Sequence, residues 1–427
     1  MKRVTMLDEI RKITKFLIHE PRYIGLRRKI LVILAIFIAL IFTNRFLVIQ
    51  AADKGAFYIS LERVKEIFWG SASVYSKEIA PAATELSKLG IKNLTQEVFK
   101  LPLFAMIFYL PFSFIRDFNW ALALWLAANE IICYFILSVF LTIIEKKLED
   151  IYMAAAAGLM ALAYFVTANI LSTNLSLIQL LLILLAFQKA KDNQFIFSGI
   201  LLGLAFFNPY EFFIPLAIFF MLNIYNGRGL VNGWMLISST LFVLAFVIFD
   251  PRWLLELLKV VLLKPDFYPF ISFNQYIQNI YPEVNTRLLD LFPILILVWI
   301  VIEWLRTPKE YYLQELWLLA LGFTLTPLLN MWDKTYALTG YAFVLIFTTA
   351  LWIDRAPSKF RTFSFAVNIL LLIVLPAGQM LIRHRALAPA DFLVYNLVFT
   401  LILLMNLYWV RLWVINPYYS VNKLDGI

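Results

Sequence analysis

The chain has 427 residues and a formal net charge of +9; 62% of its residues are hydrophobic, 17% aromatic and only 15% charged. A soluble globule carries about 25% charged residues, so composition excludes that class. The apolar residues fall in blocks of 13–25, most of them close to the roughly 20 that a bilayer-crossing helix needs, and the chain reads as an all-α, polytopic integral membrane protein.

The first 29 residues hold nine Lys or Arg. They contain no apolar region ending in a small-residue cleavage site, so no signal peptide is expected. This basic excess reads as a topology signal rather than a nucleic-acid footprint, and no nucleic-acid partner is expected. Apolar spans follow at 30–49, 120–144, 152–170, 175–187, 195–207, 212–224, 233–249, 291–305, 316–331, 336–352, 363–382 and 392–414. Block 101–115, "LPLFAMIFYLPFSFI", is short, carries Pro102 and Pro111, and reads as re-entrant or partly spanning. The total is about 12–13 transmembrane helices in a single membrane domain over 1–427.

Charge sets the direction. With the N-terminus in the cytoplasm and twelve full spans, the short cytoplasmic connections "EKKLED", "QKAKDN", "NGRG", "LRTPKE" and "DRAPSKFR" hold ten Lys or Arg. The short outward ones, "STN", "NPYE", "NMWDK" and "RHRALAPAD", hold three. That bias satisfies the positive-inside rule. Counting 101–115 as a full crossing would invert everything after it.

The two long connections, 50–100 and 250–290, then lie outward. In the first, Phe57, Leu61, Val64, Ile67 and Phe68 recur at helical spacing beside Glu62, Arg63, Lys65 and Glu66, which predicts an amphipathic helix. The second begins "DPRWLLELLKVVLLKPDFYPF", an apolar helix with Trp253 near its start and an aromatic cluster after it, suited to the lipid headgroup level. Asn208-Pro209-Tyr210-Glu211 forms an outward hairpin tip. Pro209 opens the helix that follows, because its missing N–H is harmless there. A loop tip is polar in any case, so the tetrapeptide alone does not establish a site.

Motifs of soluble enzymes are missing: the sequence has no phosphate-cradling glycine loop, no paired cysteines (Cys133 is the only one) and no His-Glu-x-x-His. Two histidines, His19 and His384, exclude a histidine-rich metal site. Candidates for polar or charged residues in mid-span are few: Asn129, Glu130, Gln179 and Asn368. The outward span ends are richer: Asp53, Lys54 and Tyr58 after the first span, Asn208, Tyr210 and Glu211 in one hairpin, Asp250 and Arg252 after another span, and Trp332, Asp333 and Lys334 in a third connection. Carboxylates, cations and aromatic rings at one depth suit transfer of a group from a lipid-phosphate donor, by deprotonating an acceptor, neutralising phosphate and stacking on a sugar. Each residue alone is more often a helix-end anchor, and the argument rests on the set.

These residues resemble the membrane glycosyltransferases of the C superfamily, in particular the mannosyltransferase-like group of glycosyltransferase family 87. "DKGAFY…WGSASVY" is similar to the family's first outward loop through Asp53, Phe57, Tyr58, Gly70 and Tyr75. "LPLFAMIFYLPF…ALWLAAN" matches through Pro102, Phe104, Ala105, Pro111, Trp125 and Asn129. "SFNQYIQ" resembles an Asn-Gln-Ser element through Asn274 and Gln275, and "LTPLLNMWDKTYAL" a Ser-Pro…Trp-Asp/Glu segment through Pro327, Trp332 and Asp333. The likeness runs from about 50 to 350.

The resemblance implies an inverting hexosyltransferase that takes a mannose-like sugar from a polyprenyl-phosphate donor and gives it to a lipid or glycan acceptor of the cell envelope. It implies that Asp53 is the general base; beside it, Asp333 is expected to orient the acceptor or hold a divalent cation, and Arg252 with Lys334 to bind phosphate in place of the family's hairpin Lys. No other cofactor is implied; membrane lipids are the surrounding partners. Three positions depart from the pattern: Asn208 stands where the family has a hairpin Lys, Ser172-Thr173 where it has Gly-Gln, and Tyr276 where it has Ser. Two other readings stay open. A transporter or flippase of a lipid-linked intermediate would carry charges through the bilayer depth, where Glu130 stands alone. A catalytically degenerate structural relative would fit the loss of the hairpin Lys.

Overall fold

The computed structural model describes residues 24–69, 102–207, 209–263, 270–271, 283, 291–307, 311–329, 331–332, 338–355, 366–367 and 397–415. The fold is all-α, and this is a membrane protein. Eleven of the twelve expected spans coincide with helices, while 363–382 lies almost wholly outside the described residues. Among those residues the only strand pairing is a two-residue antiparallel bridge, Phe270 opposite Trp332 and Ile271 opposite Met331.

Three segments, Lys29–Val48, Phe118–Ile143 and Gly229–Val247, are each long and apolar enough to cross a bilayer alone. The first joins α1 (Ile24–Thr43) to a π-helical turn, Asn44–Val48; the others are α3 (Phe118–Ile143) and α9 (Gly229–Val247). Between α1 and α3 lies α2 (Lys54–Trp69), the expected amphipathic helix. Its Phe57, Leu61, Val64 and Ile67 are buried, Phe68 is half-buried and Lys65 is exposed. Arg63 departs from the polar face that its spacing predicts: it is buried and donates to Glu66 at 2.8 Å.

Block 101–115 forms a six-residue 3₁₀ helix (Leu103–Phe108) and a one-turn helix (Leu110–Ser113). Six residues at about 2 Å each fall far short of the roughly 30 Å hydrocarbon core. The block packs against α2 and α9.

The next span bends by 70° between α4 (Asp150–Leu162) and α5 (Tyr164–Leu171). Ala163 leaves the helical region there, and the Thr167 hydroxyl takes up the Ala161 carbonyl at 2.8 Å, as a helix break inside hydrocarbon requires. After α6 (Ser176–Lys191), α7 (Phe195–Ala205) has only 11 residues and rises about 16 Å. It can be that short because it packs between α6 and α9. Then come α8 (Pro209–Tyr225), α10 (Trp253–Leu263), α11 (Leu291–Leu305), α12 (Tyr312–Leu329), α13 (Gly340–Arg355) and α14 (Phe399–Ile415). The centre of the bundle is α12, which packs against α8, α11, α13 and α14 and is buried at every position from 314 to 328.

Contact between α7 and α9 depends on two glycines one helical turn apart. A Cβ on Gly199 would lie 2.5 Å from Trp234 Cβ and 2.6 Å from the Val231 carbonyl; one on Gly203 would lie 2.0 Å from Ser238 Oγ. Small residues at i and i+4 let two helices in lipid approach to backbone distance. Ser238 and Ser239 then direct their hydroxyls at the Gly199 and Gly203 carbonyls.

Contacts across the bundle sort into two ends. At one, the Asp53 N–H donates to Leu171 O at 2.7 Å, the Tyr109 hydroxyl donates to Thr173 O at 2.9 Å, and Phe68 packs on Phe249. At the other, Lys191 bonds Glu145 and Ile143 O, Lys146 pairs with Asp354, and Arg228 pairs with the buried Glu315.

The helix contact predicts opposite signs at two glycines. Gly199→Ala should cost about 1–3 kcal/mol, because the Val231 carbonyl is backbone and cannot swing aside. Gly158→Ala meets nothing within 4 Å and should be neutral or stabilising by about 0.5–1 kcal/mol. Thermal melts of the two variants in detergent check this; equal melting points would show that α7 and α9 are not in backbone contact.

Candidate functional site

The site is organised by the turn over residues 171–176, which joins α5 to α6. Thr173 closes it with φ of 57°, a left-handed conformation that costs a β-branched residue on the order of 1–3 kcal/mol. Two backbone bonds hold it there: Thr173 N–H to Ile170 O at 3.1 Å and Asn174 N–H to Asn169 O at 3.2 Å. The Asn174 side-chain oxygen then accepts from the N–H groups of Leu175 and Ser176 and supplies orphan donors at the start of α6 with a partner.

Glu211 reaches this turn from α8. Its helix begins at Pro209, as expected, and carries Pro215 inside, with Phe212 at non-helical φ/ψ of −124° and 25°. Glu211 is only 5% exposed, so the hairpin is not a solvated tip at this residue. Its carboxylate accepts from the Ser176 hydroxyl and from Asn174 Nδ2 at 3.4 Å. Tyr109 is buried beside it, its ring stacked on Trp125 at 4.5 Å and Ser60 of α2 close to its hydroxyl.

Asp53 hangs from the same turn by its backbone bond to Leu171 O, and its side chain is exposed. One carboxylate oxygen accepts from the Ala56 N–H at 3.0 Å and so caps α2. Lys54 turns away from it to Gln50 Oε1 at 3.3 Å. Tyr58 packs edge-on against Phe118 with centroids 6.0 Å apart. Arg252 is exposed, and its N–H donates to Asp250 Oδ1 at 3.0 Å at the start of α10.

One turn therefore gathers Asp53 and Glu211, while Lys54 and Arg252 make local contacts and Tyr58 packs on α3. Tyr210 lies in the first turn of α8 and Trp332 in the bridge with Phe270; Asn208, Asn274, Asp333 and Lys334 lie outside the described residues. The bridge does bring the second long connection to the chain just before Asp333.

Tyr109, Asn174 and Ser176 were not singled out in the sequence. Asn174 had a readable signal, an Asn directly before an apolar run. Tyr109 had none, being one hydroxyl within an apolar block. Within the bilayer depth, Glu130 accepts from Asn44 Nδ2 in the π-turn at 3.0 Å, which gives this expensive carboxylate a structural use. Among the described residues no three His, Cys, Asp or Glu side chains converge to hold a metal ion.

Comparison of the chain with protein-family models, with curated proteins and with solved structures finds no match.

Burial makes Glu211 sensitive to deletion. Glu211→Ala leaves the Asn174 and Ser176 donors without this acceptor, a loss of about 1–3 kcal/mol. Glu211→Gln keeps an acceptor oxygen and should melt closer to wild type. An alanine variant that melts like wild type in detergent would return Glu211 to the status of a surface residue, where changes stay within about ±0.5 kcal/mol.

Proposed function

We propose that this chain is an inverting membrane hexosyltransferase that moves a mannose-like sugar from a polyprenyl-phosphate donor to a hydroxyl of an envelope glycolipid or glycan, on the non-cytoplasmic face. One observation carries the reading: an exposed carboxylate, Asp53, and a buried one, Glu211, are fixed to the same turn at one end of an apolar bundle. That is the depth at which the sugar of a lipid-linked donor leaves the hydrocarbon.

The acceptor O–H gives its proton to Asp53 as its oxygen attacks the anomeric carbon. The bond from that carbon to the phosphate oxygen breaks with its electron pair, polyprenyl phosphate departs, and the anomeric centre inverts. Capping α2 fixes the Asp53 carboxylate, and a carboxylate with roughly four lone-pair sites still has capacity for the incoming proton. Arg252 and Lys334 balance the leaving phosphate, and Asp333 orients the acceptor or holds a divalent cation. Glu211, held by neutral donors, positions the turn on which Asp53 depends.

The transporter reading needs charges aligned through the bilayer, and the Asn44 contact gives Glu130 a structural partner instead. The degenerate-relative reading keeps Asp53 purely as a helix cap.

Asp53→Asn separates cap from base, because Asn caps helices about as well as Asp but does not take the acceptor proton. Turnover with defined donor and acceptor should fall about 10²–10⁴-fold at unchanged melting behaviour. Activity within about threefold of wild type would leave Asp53 as a cap only, well short of the loss that a missing base produces.

Sidedness has its own test. Cysteines replacing the exposed Arg252 and Lys147, at opposite ends of the bundle, should label from opposite sides of intact cells in a Cys133→Ala background. An impermeant thiol reagent that reaches Lys147→Cys and not Arg252→Cys would invert the topology.

A further inference from the structure

The opposite end of the bundle holds a cavity that the proposed reaction does not use. It measures about 400 Å³ and lies where α11, α12 and α14 end, lined by Glu303, Arg306, Thr307, Gln314, Trp317 and Arg411 among others. That volume falls within the roughly 300–1,000 Å³ of small-ligand sites.

Its charges do not cancel. Glu303 is buried and accepts from Arg411 and, at 3.2 Å, from the Tyr408 hydroxyl. Arg411 is also fixed between rings, its guanidinium carbon 5.2 Å from the Trp317 centroid and 5.6 Å from that of Tyr408. The second guanidinium, Arg306, stands 3.6 Å from Glu303 with its side chain 62% exposed. Among the described lining residues one carboxylate stands with two guanidinium groups, a net of one positive charge. A pair that served only to close the bundle would need one arginine and no cavity.

The flanks of the cavity are apolar and outward-facing. Leu295, Val298 and Leu305 are exposed along α11, as are Leu401, Met405 and Leu412 along α14. In a membrane protein those faces meet acyl chains. A ligand that satisfies both features has one negative charge in its head and hydrocarbon behind it. Guanidinium forks bind phosphate oxygens with charge-assisted bonds, and basic recesses between helix ends hold anionic lipid heads.

We propose that this cavity binds the phosphodiester headgroup of an anionic glycerophospholipid, with Arg306 and Arg411 on the phosphate and the acyl chains lying along α11 and α14. The occupant is a lipid of the surrounding bilayer, not a substrate of the Asp53 end.

The test uses the full-length protein in mild detergent with added dioleoyl-phosphatidylglycerol or dioleoyl-phosphatidylcholine, read by native mass spectrometry of bound lipid and by thermal melting. The phosphatidylglycerol form should be retained and should raise the melting point, and Arg306→Gln should weaken retention about fivefold to tenfold. Arg306→Gln leaves the Glu303–Arg411 pair intact, so its melting point without lipid should match wild type. A Glu303→Gln/Arg411→Gln double variant, which removes the buried pair without stranding a charge, should lose the same retention. Equal retention of phosphatidylcholine, or no effect of Arg306→Gln, would overturn the proposal. Equal protection by inorganic phosphate or glycerol phosphate would overturn it too, since the site would then read a soluble anion and not a lipid.

Discussion

Hydrocarbon offers no partner to a backbone amide or carbonyl, and each group left unsatisfied there costs several kcal/mol. The rest of this molecule follows from that constraint. It makes helices of the apolar blocks, and it demands a local answer wherever a helix bends. At Ala163 the answer is the Thr167 hydroxyl on Ala161 O. At the end of α8 the Asn232 side chain donates to Phe220 O at 2.9 Å. In the centre, Thr324 and Thr326 fold their hydroxyls back onto carbonyls one turn earlier in α12. Among the described residues the turns that carry Asp53, Thr173 and Asn174 lie at one end of the bundle.

The two ends use different interactions. Ion pairs dominate where Lys191, Glu145, Lys146, Asp354, Arg228 and Glu315 meet. Most of these are exposed and contribute about 0–1 kcal/mol each. Arg228 and Glu315 are the exception, because both are buried and loss of either would strand the other at a cost of about 3–5 kcal/mol. Lys191 holds Glu145 below the usual carboxylate range by a hydrogen bond and by charge. That small stabilisation is present above the unfolded carboxylate range and fades as pH falls through the lowered folded value. At the Asp53 end the carboxylates meet backbone N–H, amide and hydroxyl donors instead.

Hydropathy made most of the helices legible, because apolar length and charge at the ends are properties of single segments. The amphipathic spacing of Phe57, Leu61, Val64 and Ile67 placed α2 and its buried face. Block 101–115 read as re-entrant or partly spanning, and nothing in its composition says that it folds as a 3₁₀ helix. The sequence was blind to pairwise facts. Gly199 and Gly203 look like any glycines in a span until α9 lies against them. Arg63 reads as a solvated residue because periodicity assigns it a face and not a neighbour. Glu211 was legible as a polar residue at a span end, but its burial depends on a turn 35 residues earlier in the chain. Asp53 was legible as a carboxylate directly after a span, and its tie to Leu171 O could not be read from either segment alone.

The prolines of α8 connect these levels. Pro209 starts the helix where a missing N–H does no harm. Pro215 has no N–H to give to the Glu211 carbonyl four residues earlier, so the first turn of α8 is not locked to the rest. Phe212 takes up the resulting change in direction. Freed from a regular helix, this turn directs the Glu211 side chain across to Ser176 and Asn174 rather than along α8. The strained Thr173 turn is then held from both sides, by Glu211 through Asn174 and by Tyr109 through the Thr173 carbonyl. Since Asp53 hangs from the same turn, its exposed carboxylate inherits a rigid mounting from residues that never touch it. Two helix breakers and a left-handed threonine thus shape the turn from which Asp53 hangs.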